Sequence, residues 1–167
     1  MWTNTVSEPV KYIERIRNQY ASLGYKPYAW VTNRDQPPPW TPLEKPMSRW
    51  RLGLVASGGI YMVGQVAFHY KDDLSFRAIP RTVPARQLRI SHFAYDMTDA
   101  RRDPNVVFPI DTLRSLVADG VIGELAEHSY TFMGGIYSAR RVREELAPAI
   151  RERLKSEKVD VALLVPV

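Results

Sequence analysis

Apolar residues recur along this chain with two different periods. Val10, Ile13, Ile16 and Tyr20 stand three or four apart and predict a helix with one apolar stripe. Ser7-Glu8-Pro9 supplies its start: a capping hydroxyl, an acid at the positive end, and a proline where a missing N–H costs little. Gly24 is its stop. A second helix is predicted behind Pro109, where Ile110, Leu113, Leu116 and Val117 keep helical spacing until Gly120. A third begins at the cap Ser138 and carries Val142, Leu146, Ile150 and Leu154 on one face, with Pro148 inside it to kink or split it. Shorter runs predict strands over residues 52–56, 75–79, 88–91, 121–125 and 129–133, while 60–68 is apolar and mixed. Residues 159–165, VDVALLV, read as a fully buried strand.

This order of elements predicts an α/β fold. We expect a three-layer sandwich with a largely parallel sheet, preceded by an N-terminal helix and a proline-rich strap. A chain of 167 residues suits a single domain, with helix and strap over 1–49 and the α/β core over 50–167. The strap carries Pro27, Pro37, Pro38, Pro39, Pro42 and Pro46, punctuated by Trp30, Trp40 and Trp50. Prolines fix φ and extend the residues before them, and the tryptophans argue for an extended segment pinned to a surface rather than a loose linker. Together with Tyr25 and Tyr28 they exceed what a strap needs, so helix and strap are expected to bury area against another subunit.

Composition narrows the function classes. The chain has no cysteine, so disulfides, thiolate metal sites and a cysteine nucleophile are excluded within it. That is compatible with a cytoplasmic protein. The formal charge is +5, from 23 Lys and Arg against 18 Asp and Glu. The basic residues are mixed with acids, as in Arg140-Arg141-Val142-Arg143-Glu144-Glu145, which reads as a solvated helix face. No nucleic-acid-binding motif is present. No apolar run approaches the roughly 18 residues of a membrane span, and the first twenty residues lack an apolar signal core.

Candidate chemistry collects in residues 90–135. This stretch holds His92 and His128, Asp96, Asp99, the turn Asp103-Pro104-Asn105 and a closing Gly-Gly. Three readings of His92 with its aspartates stay open. They are divalent metal ligation, substrate contact or acid–base work with His92 as the candidate base, and plain turn and helix capping by the carboxylates. Upstream, Ser57-Gly58-Gly59 follows the apolar run 52–56, as a tight turn or as a loop a ligand approaches. It is no nucleotide-binding fingerprint, and no Ser/His/Asp triad is defensible. Ser57, Gly58, Gly59, His92, Asp96, Asp99 and Asn105 form the candidate substrate-binding set. No metal site is assigned, and His69 and His128 are read as structural.

Several long segments carry a family resemblance. SGG at 57–59, SFRAIP at 75–80, ISHFAYD at 90–96, DARRDPNVVFPIDTLRSL at 99–116, GVIGELA at 120–126, YTFMGG at 130–135 and VALLVP at 161–166 occur in this order. From about Pro38 onward the chain resembles the selenoprotein B family, subunits of the glycine, sarcosine, betaine and D-proline reductases. The resemblance implies an α/β subunit of a larger complex. In that complex a cysteine or selenocysteine attacks the substrate's α-carbon and a carbon–nitrogen bond is reductively cleaved. It also implies partner chains: other reductase subunits or a second chain with the C-terminal half, in a homo- or hetero-oligomer. The selenocysteine or cysteine, and a pyruvoyl group that activates the amine, would lie on partners. In D-proline reductase-like members a strand resembling VALLVPV runs into the redox motif. This chain is therefore expected to be an N-terminal half, or a chain cut at a selenocysteine codon. The rival expectation is a non-catalytic structural or ligand-binding subunit of the same fold.

Overall fold

The computed structural model describes residues 11–26, 31 and 33–167. The chain divides into two compact units, Met1–Trp40 and Thr41–Val167.

In the first unit, helix α1 covers Tyr12–Ser22. Its end is the one predicted at Gly24, which takes φ +76°. The Gly24 N–H reaches the Ala21 carbonyl at 3.0 Å and the Tyr25 N–H reaches that of Tyr20, also at 3.0 Å. The Tyr25 ring then lies on that of Tyr20, centroids 5.9 Å apart. Paired backbone bonds plus an apolar contact across the stop are a complete C-terminal cap. The predicted start at Ser7-Glu8-Pro9, with Val10, Pro27, Tyr28 and Trp30, lies outside the described residues. Trp40, at the end of this unit, is 81% exposed. In the second unit Trp50 is held, its indole N–H donating to the Lys45 carbonyl at 2.7 Å.

The second unit is built on β1 (Arg51–Ala56), whose run LGLVA is buried throughout. β2 (Ile60–Met62) follows, then β3 (Phe76–Pro80), β4 (Leu88–Ile90), the short helix α2 (Thr98–Arg102) and α3 (Ile110–Ala118). After α3 come β5 (Glu124–Leu125) and β6 (His128–Phe132). A continuous helical run comprises α4 (Ala139–Arg141), a π-turn over Val142–Leu146 and α5 (Ala147–Ser156). β7 (Val161–Val165) is last. Pro148 does not split the run: it cannot donate to the carbonyl four residues back, and the helix accommodates it with a π-turn just before it. Ser138 caps the run, its Oγ accepting the Arg141 N–H at 3.3 Å.

The main sheet is largely parallel. β1 pairs in parallel with β5, then β6, on one side and with β7 on the other. Between β5 and β6 two extra residues interrupt the ladder, so the strands predicted at 121–125 and 129–133 are one broken strand. β3 joins β6 antiparallel, Ala78 opposite Tyr130. β2 and β4 form a separate antiparallel pair.

Alternation along β1 makes the three layers. Leu52, Leu54 and Ala56 pack with Ile110 and Leu113 of α3 and with Ile60, Leu88 and Ile90 of the short sheet. Val55 on the other face packs with Tyr130, Leu146 and Ile150. Gly53 also faces that side: a β-carbon there would stand 2.7 Å from Leu154, so the glycine lets the helix sit close to the sheet.

β7 corrects one expectation. It does run alongside β1, Leu52 opposite Val161 through Ala56 opposite Val165. Among the described residues, however, it has no strand on its far side. It is an edge strand there rather than a fully buried one, and Leu164 is 67% exposed.

Candidate functional site

Parallel α/β sheets collect their sites at the carboxyl ends of the strands. Here β1 ends in Ser57-Gly58-Gly59, β6 in Met133-Gly134-Gly135 and β7 in Pro166-Val167. These ends are knitted together. The Ser57 N–H donates to the Val165 carbonyl at 3.1 Å, and the Ser57 carbonyl accepts the Gly134 N–H at 2.9 Å. The Ser57 hydroxyl oxygen accepts the Val167 N–H at 3.0 Å, which leaves its own hydrogen free to donate. The Gly59 N–H reaches the Phe132 carbonyl, and the Gly59 carbonyl accepts the Ser91 N–H, each at 3.0 Å. Gly59 takes φ +70°.

That last bond docks the loop after β4 onto the loop after β1 and brings His92 to this corner. The His92 side chain lies beside Gly59, at ordinary contact distance from where a β-carbon would stand. The residue is 8% exposed. Its backbone N–H rests on the Met97 sulfur at 3.2 Å, and its ring lies on that of Tyr95, centroids 4.7 Å apart. The Tyr95 hydroxyl donates to the Gly58 carbonyl at 2.9 Å, and burial holds this phenol above its ordinary pKa.

The His92 ring has a defined tautomer. Nδ1 accepts the Ala94 N–H at 3.0 Å. Burial pushes the imidazole pKa below its ordinary value, so the neutral ring keeps its hydrogen on Nε2. Nε2 is buried and has no hydrogen-bond partner among the described residues. A buried donor without an acceptor costs on the order of 1–3 kcal/mol, and in a native protein such a group asks for a reason. Phe93 stacks on His92 at 17° and 5.7 Å. Its ring fills the space where a β-carbon on Gly135 would go, so it covers the corner from the β6 side.

The other candidates are placed differently. Asp96 accepts from Thr98, from the N–H at 2.9 Å and the hydroxyl at 2.7 Å, and those bonds hold its carboxyl pKa down. Asp99 is exposed and pairs with Arg102 at 3.6 Å. Asn105 bridges Asp103 and Asp111 and accepts the Asp111 N–H at the head of α3. These side chains close local turns, and none hydrogen-bonds to His92 or to residues 57–59. Among the described residues no group of three His, Asp or Glu side chains is placed to hold a metal. His69 is exposed with a local backbone partner, and His128 pairs with Glu157 at 2.9 Å at the opposite end of β6. Sequence reasoning missed Phe93, Tyr95 and Met97 at this corner. The signal available was a Gly-Gly pair at the end of each of two strands.

The sequence profile of the glycine/sarcosine/betaine reductase selenoprotein B family matches residues 22–166. The chain belongs to the selenoprotein B family. It is 38% identical over 128 residues to D-proline reductase subunit gamma of Acetoanaerobium sticklandii, a match covering 77% of this chain and 53% of that protein. It is 32% identical over 141 residues to glycine reductase complex component B subunit gamma of Symbiobacterium thermophilum, covering 78% of this chain and 31% of the relative. Sarcosine reductase complex component B subunit beta of Peptoclostridium acidaminophilum is 32% identical over 110 residues, 60% of this chain and 24% of the relative. This selenoprotein B chain thus spans about half the length of the D-proline reductase relative and less of the others. No solved structure matches it. Among the described residues no helix is long and apolar enough to cross a membrane.

Proposed function

We propose that this chain is a subunit of a selenoprotein B-type reductase and that the carboxyl ends of β1, β6 and β7 form its share of the substrate site. The substrates for which its relatives are named, glycine, sarcosine, betaine and D-proline, each carry a carboxylate and a nitrogen on one α-carbon. The observation that carries the reading is the buried, unpartnered Nε2–H of His92 beside the Ser57 hydroxyl loop. A neutral N–H donor suits an anionic carboxylate, which accepts without any proton moving, and the Ser57 hydroxyl is a second neutral donor in the neighbouring loop. His92 acts in this reading as a fixed donor, not a base, because its lone pair is occupied by the Ala94 N–H. Gly58, Gly59 and Gly134 keep the backbone close around that position. Asp96, Asp99 and Asn105 support the loops that present it.

The reductive attack on the α-carbon requires a cysteine or selenocysteine, which this chain does not contain. In this reading that residue, and the pyruvoyl group that activates the amine, belong to partner chains of a cytoplasmic complex.

The test is binding seen at His92 itself. With the imidazole nitrogens labelled with ¹⁵N, glycine or D-proline added to the assembled complex should shift the His92 Nε2 resonance, and glycinamide, which lacks the carboxylate, should not. A His92 signal indifferent to both compounds in an active complex removes His92 from the substrate site.

A further inference from the structure

The edge strand β7 is built like an interior one. Its sequence VALLV has no charge, no proline and no polar residue, whereas edge strands in soluble proteins are commonly blunted by charges, prolines or bulges. A run apolar on both faces is the mark of a strand covered on both faces. Yet the burial along β7 alternates, with Ala162 and Leu164 exposed.

The hydrogen bonds show which groups are left over. The Val165 carbonyl accepts from Ser57, the residue that follows β1. Successive residues of a strand point their N–H and C=O groups to opposite sides. The backbone groups of Ala162 and Leu164 therefore point away from β1, toward the side where the described residues provide no strand. Beside them a groove of about 270 Å³ runs between the sheet and the helix, lined by Val55, Phe132, Leu146, Ile150, Leu154 and Leu164. Edge and groove together fit an occupant that supplies a strand in the plane of the sheet and an apolar helix face above it.

Handedness says how the two parts are arranged. The crossover from β6 through α4 and α5 to β7 passes over the Val55 face. A further parallel strand outside β7, joined by the usual right-handed crossover, places its helix on that same face, beside α5 and over Leu164.

We infer that β7 and this groove are the docking edge for a βα segment that adds a parallel strand outside β7 and lays an amphipathic helix into the groove. The occupant is the part of a D-proline reductase-type subunit outside the stretch this chain matches. That relative is about twice the length of the match and so carries enough residues for such a unit. The inference rests on the reductase-subunit reading above, but it concerns association and not substrate, so each can fail alone.

The experiment co-expresses this chain with the unmatched part of the Acetoanaerobium sticklandii subunit and follows amide exchange by NMR. In this chain alone, the Ala162 and Leu164 amides should exchange fast. In the complex both should slow by roughly tenfold or more, as amides in a paired strand do. Leu164→Glu, at an exposed position, should weaken the complex by about tenfold or more. Ala162→Pro removes only an outward N–H and should block the added strand while this chain still folds. Absence of a complex between two soluble partners overturns the inference. So does a complex that leaves both amides fast or that both variants form unchanged. Self-association of this chain that protects the two amides, and that Leu164→Glu abolishes, would assign the edge to a second copy and also overturn it.

Discussion

Gly59 and Ser91 approach so closely that a β-carbon on Gly59 would run into the Ser91 carbonyl oxygen. The same glycine holds φ +70°, in the left-handed region where other residues are strained. One residue thus joins the loop after β1 to the loop that carries His92, and it does so by having no side chain.

Gly59→Ala should therefore cost both a backbone and a packing penalty, together roughly 2–4 kcal/mol. Gly64 separates the two terms, because its φ is +92° and nothing lies within 4 Å of its absent β-carbon. Gly64→Ala should cost only the backbone part, about 1 kcal/mol. Urea unfolding of both variants checks this, and equal losses would mean that the Ser91 contact relaxes freely.

The last residue of the α5 cap is the opposite case. Lys158 sits at φ +57° in the position that glycine usually takes. Its N–H donates to the Lys155 carbonyl at 2.9 Å and the Val159 N–H to that of Leu154 at 3.0 Å. The cap bonds are backbone only and survive substitution. Lys158→Gly should stabilise the chain by about 0.5–1 kcal/mol, the strain removed less the extra freedom glycine gains in the unfolded chain. A thermal midpoint raised by roughly 1–4 °C is the expected reading, and a fall would show that the lysine side chain contributes something the cap does not.

Stops at Gly24 and Gly120, the cap at Ser138 and the irregularity at Pro148 were legible because each is local chemistry. β1 was legible for the same reason, as a short apolar run ending at two glycines. What could not be read depends on partners distant in sequence. The run VALLV states that β7 wants neighbours on both sides, not that the described residues provide only one. Among the candidate site residues, His92 and Ser57 to Gly59 meet because Ser91 bonds to Gly59, a pairing no spacing reveals. The aspartates near His92 in sequence turned out to serve their own turns. Arg114 had no local signature at all, yet its guanidinium donates to the Val83 carbonyl at 2.7 Å and pairs with Asp111 at 2.6 Å, tying α3 to the loop after β3.

At the amino end of β6, Glu157 predicts an acid limb of stability. Burial works to raise its carboxyl pKa. The Tyr130 hydroxyl, the His128 N–H and the His128 ring outweigh that and hold it below its ordinary value. The Tyr130 bond is 2.7 Å and the His128 backbone bond 3.0 Å. A carboxyl with a depressed folded pKa adds stability that is complete above its unfolded value and fades as pH falls through the folded one. Glu157→Gln should cost about 1–3 kcal/mol at pH 7, and the gap to wild type should narrow as pH falls below the ordinary carboxylate range and through the depressed folded value. A gap that is constant with pH would show that the charge on Glu157 contributes nothing.

His92 makes the last prediction, and its pH window is different. Burial depresses the imidazole pKa, so the folded protein holds the ring neutral. The unfolded chain takes up a proton near the ordinary histidine value, about pH 6.5. Stability from this group is therefore complete above that value and declines as pH falls through the depressed folded one. His92→Gln keeps an N–H where Nε2 stands and cannot titrate, so its stability should be flat across mild acid, where wild type falls. His92→Ala should fold, because the ring makes one backbone hydrogen bond and rests on Tyr95 and Phe93. It should lose substrate binding, and His92→Gln should restore part of it if donation through Nε2–H is what the site requires. Urea unfolding between pH 5 and 8 reads the first effect, and titration of the assembled complex with glycine or D-proline reads the second. If His92→Gln binds no better than His92→Ala while both are folded, the donor role is wrong even where the pH slope is as expected.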